Sequence, residues 1–123
     1  MIYIGNDIVK NSRINRLISL YGKKFLDKMF SSDEVESVVN KKKIVSFSGK
    51  FAAKEASVKA LLSSGLIKRV SLKDIEILKE KNGAPFIKLN NINSEKIKSF
   101  KISISHTNQY STAFALLELF DSK

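Results

Sequence analysis

The feature that most constrains this chain is a row of small residues: Gly49, Ala52, Ala53, Ala56 and Ala60. They lie inside a segment, 44–63, whose apolar spacing predicts the longest helix of the sequence. At 3.6 residues per turn the five fall within one narrow sector, so another element can approach the helix closely there. Gly65 ends it. Ahead of it, residues 1–9 alternate, with Ile2, Ile4 and Ile8 on one face and Tyr3, Gly5 and Asp7 on the other, the pattern of a half-buried strand. Residues 11–30 carry apolar side chains at helical spacing, interrupted near Gly22. Ser31-Ser-Asp-Glu34 is a capping box that opens a short helix, which runs out in the basic stretch Lys41-Lys-Lys43.

Strands dominate the second half. Residues 72–78 and 86–89 flank Lys81-Asn-Gly-Ala-Pro85, whose Asn-Gly pair is a hairpin signal. Residues 93–100 are expected to hold one helical turn. Residues 101–106 and 110–120 form a second alternating pair, joined through Thr107-Asn-Gln109. One strand, then helices, then mostly antiparallel strands describes an α+β chain. The expected architecture is a single domain over 1–123, with a long central helix packed on a mostly antiparallel sheet.

The chain carries 22 Lys and Arg against 12 Asp and Glu, a net charge of +10, and such an excess attracts anions of any kind. Nucleic acid, an acidic protein, a membrane surface and a polyphosphate all qualify, and so does a merely solvated lysine-rich surface. No apolar run approaches a membrane span, and the opening residues are too polar for a signal peptide, so a cytoplasmic setting without membrane contact is expected. With no cysteine, disulfides, thiolate catalysis and cysteine-ligated metals drop out together. One histidine leaves no basis for a histidine-rich zinc site.

Three places hold polar residues where an element would prefer apolar ones. Asp7 closes the first strand, where it could equally cap the helix that follows. Glu55 and Lys59 are i and i+4 on the long helix, with Lys54 adjacent around the axis, a spacing that an ordinary surface ion pair would also have. His106 lies at a strand end beside a tight turn, where a histidine is often structural. Together they suit one chemistry. Two carboxylates, Asp7 and Glu55, offer the hard oxygens of a partial magnesium site, which substrate phosphates and water complete. Lys59, one turn along, brings a mobile positive charge to the same phosphates. Phosphoryl-type transfer depends on this kind of positioning and charge neutralisation. The chain has no Walker-type glycine loop, which disfavours ordinary nucleotide hydrolysis.

Gly5-Asn-Asp-Ile-Val9 with Arg13-Ile14 resembles the opening of the short, AcpS-type 4′-phosphopantetheinyl transferases. Gly49-Lys-Phe-Ala-Ala-Lys-Glu-Ala56 with Lys59-Ala-Leu61 is similar to their second signature, and Asn82-Gly-Ala-Pro85 and Ile104-Ser-His-Thr107 to two later landmarks in the same order. The likeness spans essentially the whole chain. It implies Asp7 and Glu55 as Mg2+ ligands, and Lys59 as a contact of the coenzyme A pyrophosphate. Lys41, Lys42 and Lys50 are implied around the nucleotide phosphates, with Gly83, Pro85, His106 and Thr107 lining the same site. Arg13 and Arg16 are implied as the basic surface that receives acyl carrier protein. A homotrimer is also implied, with each active site at a subunit boundary. This sequence departs from the family pattern at Leu62-Ser-Ser-Gly65, where Gly-Thr-Gly is usual. It also has Lys10 where an acid is common, Lys50 for the usual arginine, and Ala84 for a frequent basic residue.

The implied reaction is attack by a carrier-protein serine on the β-phosphorus of coenzyme A, releasing adenosine 3′,5′-bisphosphate. It is the holo-acyl-carrier-protein synthase reaction, which supports fatty acid synthesis. Glu55, a water on the metal and His106 each remain open as acceptor of the serine proton. The rival reading, from charge alone, is a small basic nucleic-acid-binding module without catalysis, and a third is an inactive assembly protein of the same fold. A nucleic-acid module wants aromatics interleaved with basic residues. Phe47, Phe51 and Phe114 occupy apolar-periodic positions instead.

Overall fold

The computed structural model describes residues 1–38 and 43–121. Strand β1 (Ile2–Lys10) leads directly into helix α1 (Asn11–Tyr21), and Gly22, at φ +52°, separates it from α2 (Lys23–Met29). The Ser31 capping box is present in full and opens α3 (Ser32–Glu36): Ser31 Oγ accepts the Glu34 N–H at 3.2 Å, and Glu34 Oε1 accepts the Ser31 N–H at 3.0 Å. Helix α4 (Lys43–Ser64) runs 22 residues and ends at Gly65, whose φ of +75° is the left-handed conformation that stops a helix. Residues Leu72–Asp74 form a 3-10 turn, so the strand expected from 72 begins only with β2 (Ile75–Lys79). β2 pairs with β3 (Pro85–Leu89) as an antiparallel ribbon. In its loop only Gly83 has positive φ, and Asn82 Oδ1 accepts the Ala84 N–H at 3.0 Å. The expected helical turn over 93–100 is not formed: a turn at Glu95–Lys96 is followed at once by β4 (Ile97–His106). β5 (Tyr110–Leu119) then fills the centre of a three-stranded antiparallel sheet of order β1-β5-β4.

Helix α4 lies across that sheet with its small residues against it. Ala52, Ala53, Ala56 and Ala60 are fully buried, as is Ala115 on β5. The closest approach is at Gly5 of β1, where a Cβ would run into the Ala56 carbonyl and stand 2.9 Å from the Ala60 nitrogen. Backbone meets backbone here, and only glycine permits it.

The same approach decides which face of β1 is buried. The alternation is as expected, but the residues turned toward α4 are Tyr3, Gly5, Asp7 and Val9. Ile2, Ile4 and Ile8 point the other way and are 54%, 57% and 63% exposed. Phe114, paired with Asn6 on the same outer face, is also exposed, although its position follows the apolar alternation. Phe47 and Phe51 are buried as expected.

Candidate active site

Asp7 is not a helix cap. It stands inside β1, opposite Ala113 of β5, on the face that meets α4. Lys59 reaches across from α4, its Nζ donating to Asp7 Oδ1 at 3.2 Å and to the Asn6 carbonyl at 2.9 Å. The i, i+4 spacing with Glu55 therefore does not pair those two; Lys59 makes its ion pair with Asp7. Glu55, one turn earlier on α4, lies within the field of Asp7. Burial pushes its carboxyl above the usual range and the like charge of Asp7 pushes it further, while Lys59 and Arg13 pull it back. Two carboxylates from different elements thus share one locale with a lysine and an arginine.

This donor set fits a magnesium ion. Two hard oxygens of like charge are brought near one another, a cost that a divalent cation removes. No third His, Asp or Glu joins them among the described residues. Magnesium bound by one or two carboxylates completes its octahedron with water and substrate phosphate. Asp7 and Lys59 line an open cavity of about 510 Å³ with Asn6, Ser103, Ser105 and Thr112.

A second cavity, of about 310 Å³, opens between α4 and the β2–β3 ribbon. Four residues expected at the coenzyme site line it: Lys50, Gly83, Pro85 and His106. Lys50 is nearly buried, and its Nζ donates to the Ile77 carbonyl at 2.5 Å. Burial holds this ammonium below the usual lysine range against the pull of Glu34, and Lys79 and Lys54 lower it further. His106 is exposed at the end of β4. Thr107 does not line the cavity; its hydroxyl oxygen accepts the Gln109 and Tyr110 N–H groups at 3.1 and 3.0 Å and shapes the turn. Lys41 and Lys42 lie outside the described residues. Arg13 and Arg16 are both exposed on α1, three residues apart.

Two buried polar sets were missed in the sequence. Asn11 ties the β4–β5 turn to the start of α1: its Nδ2 donates to the Thr107 and Asn108 carbonyls at 3.0 and 3.1 Å, and its Oδ1 accepts Ser111 Oγ at 2.7 Å. Its position at the first residue of a helix was the available signal. Lys54 is not on a solvated helix face. It is completely buried in an ion pair with Glu34 at 2.6 Å, beneath the Phe30 ring. The signal was its angular position, on the side of α4 that carries Phe47, Phe51 and Leu61.

The model of the 4′-phosphopantetheinyl transferase superfamily matches residues 3–115. Holo-[acyl-carrier-protein] synthase of Protochlamydia amoebophila is 41% identical over 116 residues, covering 92% of this chain and 94% of that one. The Helicobacter pylori holo-[acyl-carrier-protein] synthase, solved in complex with coenzyme A, superposes with a TM-score of 0.82 at 36% identity, covering 94% and 99% of the two chains. The Neisseria meningitidis enzyme gives 0.84 at 28% identity, covering 96% and 99%. With its α+β fold, its ordered motifs and these relatives, the chain belongs to the holo-[acyl-carrier-protein] synthase family of the 4′-phosphopantetheinyl transferase superfamily.

Proposed function

We propose that this chain transfers 4′-phosphopantetheine from coenzyme A to a serine of apo-acyl carrier protein, releasing adenosine 3′,5′-bisphosphate. The observation that carries the reading is the convergence of Asp7 and Lys59, 3.2 Å apart on different elements, beside a Glu55 carboxyl raised by burial and by Asp7. Asp7 and Glu55 would hold a magnesium ion, which when bound supplies charge neutralisation at the pyrophosphate. Lys59, half-exposed and on a flexible stem, follows the pyrophosphate oxygens as charge develops on the leaving bisphosphate. Glu55 and His106 are the side chains able to take the serine proton. Lys50, Gly83, Pro85 and His106 bind the nucleotide end, and Lys41 and Lys42 add charge around it. Arg13 and Arg16 form the edge on which acidic carrier protein docks.

The working unit is a homotrimer with active sites shared between neighbouring chains. Two features support this. Asp7 and Lys59 line one cavity of the protomer, and the nucleotide-binding residues line another. The outer sheet face of Ile2, Ile4, Ile8 and Phe114 offers an exposed apolar surface that copies of the chain can cover. The reading carries a cytoplasmic setting with it; no helix among the described residues is long and apolar enough to cross a membrane.

Mass spectrometry of apo-acyl carrier protein, incubated with the chain, coenzyme A and magnesium, tests the reaction. The expected result is one phosphopantetheinyl adduct on serine. An unchanged carrier-protein mass with correctly folded chain refutes it.

A further inference from the structure

One buried ion pair, Glu34 with Lys54, lies behind the nucleotide cavity without taking part in the chemistry above. Among the described residues β2 has β3 on one edge and no strand on the other. The Asn90 N–H bonds to the Asp74 carbonyl and the Glu80 N–H to the Ala84 carbonyl. By the alternation of an antiparallel pair, the peptide groups of Ile75 and Ile77 therefore face away from β3. Both residues are buried, so these groups need partners other than water. The Ile75 N–H turns back to the Leu72 carbonyl, and side chains supply the others. Lys54 Nζ donates to the Ile75 carbonyl at 2.6 Å and to the Leu72 carbonyl at 2.8 Å. Glu34 Oε2 accepts the Ile77 N–H at 2.9 Å, and Lys50 Nζ donates to the Ile77 carbonyl. Glu34 Oε1 joins the circuit by accepting both Lys54 Nζ and the Ser31 N–H.

We infer that the Glu34–Lys54 pair is a positioning device for the coenzyme: it takes the place of a missing strand at the open edge of β2 and so fixes one wall of the 310 Å³ cavity. The inference rests on the proposed transfer reaction, which gives that cavity its ligand. Ile77, Leu78, Lys79, Gly83 and Pro85 of the ribbon face Gly49 and Lys50 of α4 across the space. Glu34 and Lys54 are both fully buried and line no part of it, so they act through Ile75 and Ile77. An apolar pair would hold the elements together as well as a buried ion pair does. What the charged pair adds is direction, since it bonds individual peptide groups and sets the ribbon's register along α4.

Two doubly substituted chains separate position from cohesion. Glu34→Leu with Lys54→Met removes the paired charges together, while the Ile77 N–H loses its acceptor, the Leu72 and Ile75 carbonyls lose the Lys54 donor, and Lys50 loses its nearby carboxylate. Glu34→Gln with Lys54→Met shares the charge and Lys54 losses but keeps an acceptor for the Ile77 N–H, so the two differ at that bond. In steady-state transfer, the first should raise KM for coenzyme A about tenfold, with kcat and KM for carrier protein within about threefold of wild type. The second should recover most of that loss. A KM for coenzyme A unchanged in both folded variants, or a loss confined to kcat, overturns the positioning role. Should neither variant fold, amide exchange on the wild-type chain decides. The Ile77 amide is expected to be as protected as that of Ala115 in the central strand before coenzyme A is added; exchange at the rate of an open loop overturns the inference. A wild-type chain that neither transfers nor binds coenzyme A in calorimetry brings down the transferase reading first. Normal wild-type turnover with insensitive variants brings down the positioning role alone.

Discussion

Replacing Gly5 with alanine adds one methyl group where the backbones of β1 and α4 meet. The new Cβ would overlap the Ala56 carbonyl and stand 2.9 Å from the Ala60 nitrogen, both atoms of the α4 backbone. No rotamer change can clear them, so β1 and α4 must separate along their whole contact. Overpacking of this kind costs about 3 kcal/mol, at the upper end of the usual range because the obstacle is main chain. With an unfolding entropy of about 2.1 cal/mol/K per residue, each kcal/mol lowers Tm by about 4 °C for a chain of 123 residues, so Gly5→Ala should melt about 12 °C lower. Gly49→Ala is the internal control. Its Cβ would meet only the Ile104 Cγ2 at 3.1 Å, a side-chain atom able to give way, and alanine favours a helix over glycine by about 1 kcal/mol. Its Tm should stay within about 3 °C of wild type. Thermal unfolding followed by circular dichroism measures both. If Gly5→Ala melts with the wild type, or the two variants fall equally, backbone contact at Gly5 does not set the spacing of sheet and helix.

Asp7→Ala and Glu55→Ala should each reduce transfer at limiting magnesium by at least about a hundredfold with unchanged circular dichroism, because a metal held by two carboxylates cannot lose one and keep its place; wild-type turnover in either removes that residue from the ligand set. Arg13→Glu should raise KM for carrier protein far more than KM for coenzyme A, and flatten the salt dependence of the former, as for a residue that steers an acidic partner. Equal losses for both substrates would count against the docking edge. Ile4→Glu with Ile8→Glu should turn trimers into monomers in sedimentation velocity while leaving the protomer folded, since both side chains point away from its core. A trimer that survives both charges is held by some other surface. Co-expression of Glu55→Ala chains with His106→Ala chains should restore part of the activity absent from each alone, and mixed assemblies as inactive as their parents would mean that each site is built within one chain.

Much of this arrangement was legible in the sequence because it rests on local rules. The small-residue sector of α4, the Ser31 capping box, the Gly65 stop and the Asn82-Gly83 hairpin all depend on nearby residues, and all formed. Asp7, Glu55 and Lys59 could be singled out because charged groups interrupt elements that would otherwise be apolar. The buried side of β1 was not legible in this way. Alternation gives a strand two faces without saying which is covered, and hydrophobicity alone favours the isoleucines. The outcome depended on Gly5, the one residue of β1 that lets a helix backbone come so close. Lys54 failed for a related reason: a lysine reads as a surface residue until its partner is known, and Glu34 comes 20 positions earlier on another helix. The turn expected over 93–100 gave way to β4 because Ile97, Ser99 and Phe100 find partners on β5, a long-range pairing that local spacing cannot reveal.

The buried Lys54 also orders events as the chain folds. Helix α4 needs its neighbours to bury its apolar side. Its lysine, however, cannot leave water without a large desolvation cost until a carboxylate and carbonyls are there to receive it. Glu34 lies upstream, while the Leu72 and Ile75 carbonyls lie downstream, so segments from both sides of α4 must close on Lys54 together. Burial of one ammonium group thus ties the first and second halves of the sequence into one cooperative unit, and a fragment that stops short of Ile75 has no native place to put its charge.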